Sequence, residues 1–223
     1  MKDYSAFDIL GPIMIGPSSS HTAGAARLAK ISREIAGDEK FNKVEFYLHG
    51  SFAKTYRGHG TDKALVAGIL GFDPDDERLK DSFRIAKEND IEIEFIATDL
   101  GYQHPNTVKI VFKYPHKNDF CVQGSSIGGG NVIINEINGD ILEFTGVYPT
   151  MILKYPDKKG IISKISSILS EADINIATMK VSREGNVATM LCELDVGLDD
   201  KVVKEISDLS EITSMRFINT KRS

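Results

Sequence analysis

Cysteine is the scarcest chemistry in this chain. Among 223 residues there are two, Cys121 and Cys192, each in an apolar, strand-like stretch far from the other. A four-cysteine zinc site or an iron–sulfur cluster needs more thiolates than that, so two cysteines by themselves can hold neither. A basic cluster is lacking too. Lys+Arg total 27 against Asp+Glu 32, for a net charge of −5, which argues against nucleic acid as a partner because no phosphate-tracking surface is in prospect. No run approaches the roughly 20 apolar residues of a membrane span. The start, MKDYSAFDIL, has neither the basic end nor the apolar run of a secretory signal, so no membrane is expected and the cytoplasm is the expected compartment. Internal repeats and low-complexity tracts are absent as well.

What is present is an ordinary globular balance, 41% apolar and 26% charged, in a chain longer than one average domain. The C-terminal part reads most clearly. YPTMILKY (148–155) is a strand, and KKGIISKISSILSEA (158–172) spaces Ile161, Ile165, Ile168 and Leu169 as one helix face. INIATMKVS alternates as a strand, 183–186 is a hairpin turn around Gly185, and VATMLCELDV is its partner. DDKVVKEISDL is an amphipathic helix with acidic capping residues, and ITSMRFIN is a last strand. The order β-α-β-β-α-β is ferredoxin-like.

The first 145 or so residues promise an α+β domain, a sandwich-like arrangement with a mostly antiparallel sheet. Residues 22–35 and 61–70 read as helices, the second with Thr61 or Asp62 as its cap. DERLKDSFRIAKEN reads as another helix. KVEFYLH, IEIEFIA, TVKIVFK and DFCVQGSS read as strands, and NVIINEINGDILEF as a hairpin about Asn138-Gly139. The boundary falls near Thr145-Gly146, giving domains 1–145 and 146–223.

Four of the five histidines sit in loops rich in Gly, Ser or Pro: His21 in GPSSSHT, His49 in LHGS, His59 in GHGTD and His104 in QHPN. His49, at a strand end, reads as a structural histidine and His116 as an exposed one. One hydroxyl of Ser18, Ser19, Ser20 and Thr22 is explained by capping a helix; four are not. Together with Ser126 and the glycines of SSIGGG (Gly128, Gly129, Gly130), these loops suit an amino acid carboxylate. Backbone N–H groups at a helix start attract the anion, hydroxyls donate to it, and histidines manage protons.

The C-terminal segment resembles the ACT domain, carried by Tyr155-Pro156-Asp157-Lys158-Lys159-Gly160-Ile161-Ile162 and by Asp173-Ile174-Asn175-Ile176. Lys159 stands where that family often has proline. The resemblance implies an effector corner at Lys159, Gly160, Ile161 and Asn175, and self-association through this domain. GSFAKTYRG (50–58) looks like the lysine motif of pyridoxal phosphate-dependent dehydratases, but the segment before the ACT-like part is too short for that two-lobed fold.

GPSSSHTAG, HGSFAKTYRGHGTDKA, HPNT and SSIGGGN, in that order before an ACT-like tail, resemble the β subunit of the iron–sulfur-dependent L-serine dehydratases over essentially the whole chain. The resemblance implies conversion of L-serine to pyruvate and ammonia, with a 4Fe–4S cluster held by a separate α subunit and not by this chain. It places His21 and His59 at or beside the active site as base, proton carrier or substrate orienter. The first domain also resembles the regulatory domain of certain phosphoglycerate dehydrogenases, which implies an allosteric pocket at the same residues. A free-standing amino acid sensor is the third expectation.

Overall fold

Alternation of apolar and polar residues builds the sheets, and a computed structural model describes residues 14–219. The chain divides into two compact units, Met1–Thr145 and Gly146–Ser223.

In the first unit a π-helical turn, Ser19–Ala23, runs into α1 (Gly24–Ala36). There follow β1 (Lys43–Leu48), α2 (Gly50–Thr55), α3 (Thr61–Ile69), a 3-10 turn (Glu77–Asp81) and α4 (Ser82–Glu88). Strands β2 (Glu92–Ala97), β3 (Thr107–Lys113), β4 (Phe120–Gly128), β5 (Asn131–Ile137) and β6 (Asp140–Phe144) complete it. The sheet order is β2-β1-β3-β4-β5-β6. Only β1 and β2 run parallel, because the chain between them travels through three helices rather than a tight turn. The expected α+β fold with a mostly antiparallel sheet is what forms.

The helices cover one face of this sheet. Phe46 of β1 stacks on Phe95 of β2 at 4.9 Å between ring centroids, and Tyr56 and Phe83 close on the same Phe95 at 5.5 and 6.1 Å. Val44, Phe46 and Leu48 are buried while their neighbours Lys43, Glu45 and Tyr47 stay half-buried, the period-2 signature of a one-sided strand. Helices α1 and α3 approach closely at Gly68, where a Cβ would collide with the carbonyl of Ala26 and lie 2.6 Å from Ala29 Cβ and 2.8 Å from Lys30 N.

Three local expectations need correction. Helix α3 is preceded by Gly60 in a left-handed conformation (φ 69°), with no side-chain cap. Thr61 Oγ1 is instead buried without a hydrogen-bond partner, and Asp62 Oδ1 accepts only the N–H of Lys63 beside it, at 2.8 Å. The segment read as one helix from 76 splits at Asp81/Ser82 into a 3-10 turn and α4, with Asp76 capping the turn by accepting from Arg78 N–H. Residues 50–55, given no helix from sequence, form α2.

The second unit has β7 (Thr150–Pro156), α5 (Ile161–Glu171), β8 (Ile176–Glu184), β9 (Val187–Leu194), α6 (Asp200–Ser207) and β10 (Ser214–Ile218). Its sheet, β10-β7-β9-β8, is antiparallel throughout, which is the ferredoxin-like arrangement expected. Ile161, Ile165 and Leu169 of α5 and Val202 and Ile206 of α6 pack with Met151, Leu153 and Met190 in one core. Asp199 caps α6 by accepting from Val202 N–H at 2.8 Å. No helix among the described residues is long and apolar enough to cross a membrane.

Gly68→Ala should destabilise the chain by about 1–3 kcal/mol, since its collisions include backbone atoms that cannot step aside. The urea midpoint measures this; a loss under about 0.5 kcal/mol, the level of a neutral surface change, would show that α1 and α3 separate freely.

Candidate functional site

The hydroxyl-rich loop makes its site by opening one turn of helix. Ser18, extended at φ −143°, caps it by accepting the His21 backbone N–H on Oγ at 3.2 Å. Gly24 N–H then reaches back to Ser19 O in the wide π pattern, a geometry found often at functional sites. The turn is anchored from below by β4. Ser126 Oγ donates to Ser20 O at 2.9 Å, and a Cβ at position 24 would fall on that hydroxyl. Only glycine fits there.

His21 sits among four neighbours. Its Nε2 is 3.0 Å from Ser51 Oγ and its Nδ1 3.5 Å from Ser18 Oγ. The His59 ring lies 4.9 Å from it, centroid to centroid, and the Phe52 ring meets it edge-on at 5.4 Å. Thr22, 1% exposed, donates from Oγ1 to His59 O at 3.3 Å and so ties the GHGTD turn to the SSHT turn. Burial, and secondly the charge of His59, hold the His21 imidazole below its usual pKa, so it is neutral at pH 7. Burial pushes the Asp62 carboxyl upward.

The HPN loop braces the other side. Pro105 O accepts Ser51 N–H at 2.7 Å, and Asn106 O accepts Ser126 N–H at 3.0 Å. Gly50, at φ 55°, lets the chain pass Pro105, whose carbonyl oxygen would lie 2.6 Å from a Cβ there. His104 is exposed, and its Nδ1 accepts Asn106 N–H at 3.1 Å. His49 Nδ1 accepts Leu100 N–H at 3.1 Å. Beside the loop a cleft of about 420 Å³ is lined by Tyr102, Gln103, His104, Ser125, Ile133 and Asn135, with Ile127 at its rim.

The residues named from sequence therefore divide. Ser18, Ser19, Ser20, His21, Thr22, His59 and Ser126 come together around the first turn of α1. Gly128, Gly129 and Gly130, at φ 106°, 61° and 78°, form the β4–β5 hairpin turn, and Gly130 O accepts Arg27 Nη1 at 3.5 Å. Ser51 was not singled out from sequence; it stands two residues after His49 in HGS, and only its partner 30 residues upstream marks it. In the second unit Lys159 and Asn175 are exposed, with Asn175 Nδ2 donating to Asp195 Oδ2 at 2.8 Å. Gly160 precedes α5 at φ 92°. Ile161 is 3% exposed and packs in the core.

Metal-ligand chemistry does not fit these residues. Among the described residues no three of His, Cys, Asp and Glu cluster to hold a metal. Cys121 and Cys192 lie in different units, and burial pushes the Cys192 thiol up to about 12, far from the thiolate that a metal requires.

The lowered His21 value has a sign. The unfolded chain, with His21 near its usual value of about 6.5, binds more protons than the folded one below that pH, so the contribution is complete above about pH 6.5 and lost as pH falls through the folded value. The stability advantage of wild type over His21→Gln should shrink between about pH 7.5 and pH 5.5 in urea titrations. An advantage that stays constant or grows would contradict the buried neutral imidazole.

Known proteins align with this architecture. Residues 5–92 match the family described as serine dehydratase beta chain, and residues 150–211 match the ACT domain. The L-serine dehydratase beta chain of Peptoniphilus asaccharolyticus is 48% identical over 221 residues, covering 98% of this chain and 99% of that one. The probable L-serine dehydratase beta chain of Bacillus subtilis is 44% identical over 220 residues, covering 98% and 99%. D-3-phosphoglycerate dehydrogenase of Bacillus subtilis is 31% identical over 189 residues, 81% of this chain and 35% of that protein. Likeness sustained from end to end, through the SSHT and GHGTD turns and into the second unit, has one meaning: the chain belongs to the L-serine dehydratase beta chain family and carries an ACT domain.

Proposed function

We propose that this chain is the substrate-handling half of an L-serine dehydratase, acting in the cytoplasm with a separate α chain that holds a 4Fe–4S cluster. The observation that carries the reading is the meeting of His21, His59, Ser18 and Ser51, brought from three separated stretches to one spot. Dehydrating L-serine to pyruvate and ammonia requires that a proton leave Cα and that the β-hydroxyl depart as water. An imidazole can take or give such a proton when it is poised near neutral pH. The SSHT turn, at the N-terminal end of a 13-residue helix, offers hydroxyls and backbone N–H groups of the kind that hold a carboxylate. The β4–β5 hairpin glycines support the edge of this surface.

The cluster belongs to the partner because the sulfur of this chain is unsuited to it: one of its two thiols is sealed in an apolar core. The second unit regulates, through self-association or an effector at Lys159, Gly160 and Asn175. A rival reading is favoured by the likeness to D-3-phosphoglycerate dehydrogenase over 81% of this chain. Under it the same pocket is an allosteric anion site and all catalysis lies in the partner.

One experiment separates these, and a second tests the division of labour between the chains. In the αβ complex His59→Ala should lower kcat by about 10²–10⁴-fold, the usual range for a lost acid–base group, while leaving αβ assembly intact by size-exclusion chromatography. Unchanged turnover would favour the allosteric reading. The isolated chain, after anaerobic iron–sulfur reconstitution, should show neither cluster absorption nor serine dehydration; pyruvate formed by this chain alone would overturn the division of labour.

A further inference from the structure

We propose that Lys54, Arg57 and Lys63 form a docking rim, beside the His21–His59 pair, for an acidic surface of the α chain. This rests on the two-chain reading given above. It adds the face of this chain that the partner covers and the charge that the partner presents there.

The rim comes from one short stretch folded back on itself. The helical bonding of α2 carries on past Thr55, with Tyr56 N–H bound to Phe52 O and His59 N–H to Thr55 O, each at 3.1 Å. Lys54 is therefore a helical neighbour of Arg57 on one side and of Ser51 on the other, three residues away from each. The Arg57 guanidinium lies 5.4 Å from the centre of the Tyr56 ring. Lys63 is in the first turn of α3, and both it and Arg57 act electrostatically on Asp62, which lies between them in sequence. All three cations are exposed.

What sets them apart is the lack of a counter-charge. The lysines of the sheet find carboxylates: Lys43 with Glu94 at 2.7 Å, Lys109 with Glu136 at 3.6 Å and Lys113 with Asp119 at 2.7 Å. Among the described residues Lys54, Arg57 and Lys63 have no such ion pair. Asp62 Oδ1 is engaged by the backbone N–H of Lys63 at 2.8 Å. Like charges three or four residues apart on a helix repel, and Lys63 adds positive charge to a helix end that is already positive. In a chain of net charge −5, unpaired cations gathered in this way oppose folding and gain nothing within it.

The spread of the rim decides its ligand. L-serine carries one carboxylate and one ammonium, so three cations that draw the first repel the second. Cations on two helices call for several negative charges held at fixed places, which is what an acidic protein surface supplies. Charges at the edge of an interface act mainly on the rate of encounter and on its salt dependence.

The test mixes the full chain with its α chain in a stopped-flow experiment. Wild-type association should slow by about tenfold or more between ~50 mM and ~500 mM NaCl. The triple variant Lys54→Gln, Arg57→Gln, Lys63→Gln should associate about tenfold more slowly at the lower salt and lose most of the salt dependence. A control with the same change in net charge, Lys40→Gln, Lys201→Gln, Lys204→Gln, alters exposed residues elsewhere. It should stay within about threefold of wild type, and the rim variant, once assembled, should turn over serine within about threefold as well. Rates that ignore both salt and the rim substitutions overturn the proposal. So does equal slowing in the control, since net charge alone would then be the cause. Normal association with a raised KM for serine overturns it in favour of a carboxylate holder. A wild-type chain that binds no α chain at any salt overturns the two-chain reading itself, and the rim with it.

Discussion

The close approach of the first turn of α1 to strand β4 is the constraint from which the site follows. Gly24 contributes no side chain, and the Ser126 hydroxyl fills the space and bonds the carbonyl of Ser20. Ser126, 0% exposed, is held in turn through its own N–H by Asn106, and Asn106 follows Pro105, whose carbonyl holds Ser51. Four segments distant in sequence are thereby fixed by two backbone–backbone bonds and one from a buried hydroxyl to a carbonyl. Buried backbone polar groups must find partners. Here the partners belong to different loops, so satisfying them and assembling the site are the same event.

Much of this was legible and some was not, for physical reasons. The second unit could be read because its signals are local: alternation in β7 to β9, 3.6-residue spacing in α5, and Gly185 at φ 57° in its hairpin. The strands of the first unit were legible in the same way. What escaped depends on atoms far away. The π turn at Ser19–Ala23 looks like ordinary helix from its residues, and it widens where Ser126 and Gly24 meet. The start of α3 lies at Gly60 in a left-handed conformation, so Thr61, a good cap by composition, turns inward instead. The role of Ser51 exists only through Nε2 of His21. Motif likeness could bring His21 and His59 to attention, but only their 4.9 Å approach makes them one unit.

That pairing has an electrostatic consequence. Two imidazoles in contact cannot easily both be charged, and the partly buried member of this pair bears the cost: His21 is kept neutral by desolvation first and by His59 second. A neutral ring can be hydrogen-bonded by hydroxyls on both sides without leaving a charge unpaired in a half-buried place. Serines at 18 and 51 therefore suit it better than carboxylates would, since a carboxylate would draw a proton onto the ring and stabilise the imidazolium.

The same economy bears on what the chain leaves to its partner. Its cysteines are placed as packing: Cys192 is fully enclosed with Met151, Met190 and Leu194, where a thiol behaves as a small apolar group. Making it a ligand would require opening the second unit's core and stabilising a thiolate whose proton is held to about pH 12. The polar investment of the first unit lies elsewhere, in hydroxyls and imidazoles at the end of a rigid sheet. On the function proposed above, a surface of that kind orients a small amino acid and moves its protons, and a companion chain supplies the metal chemistry.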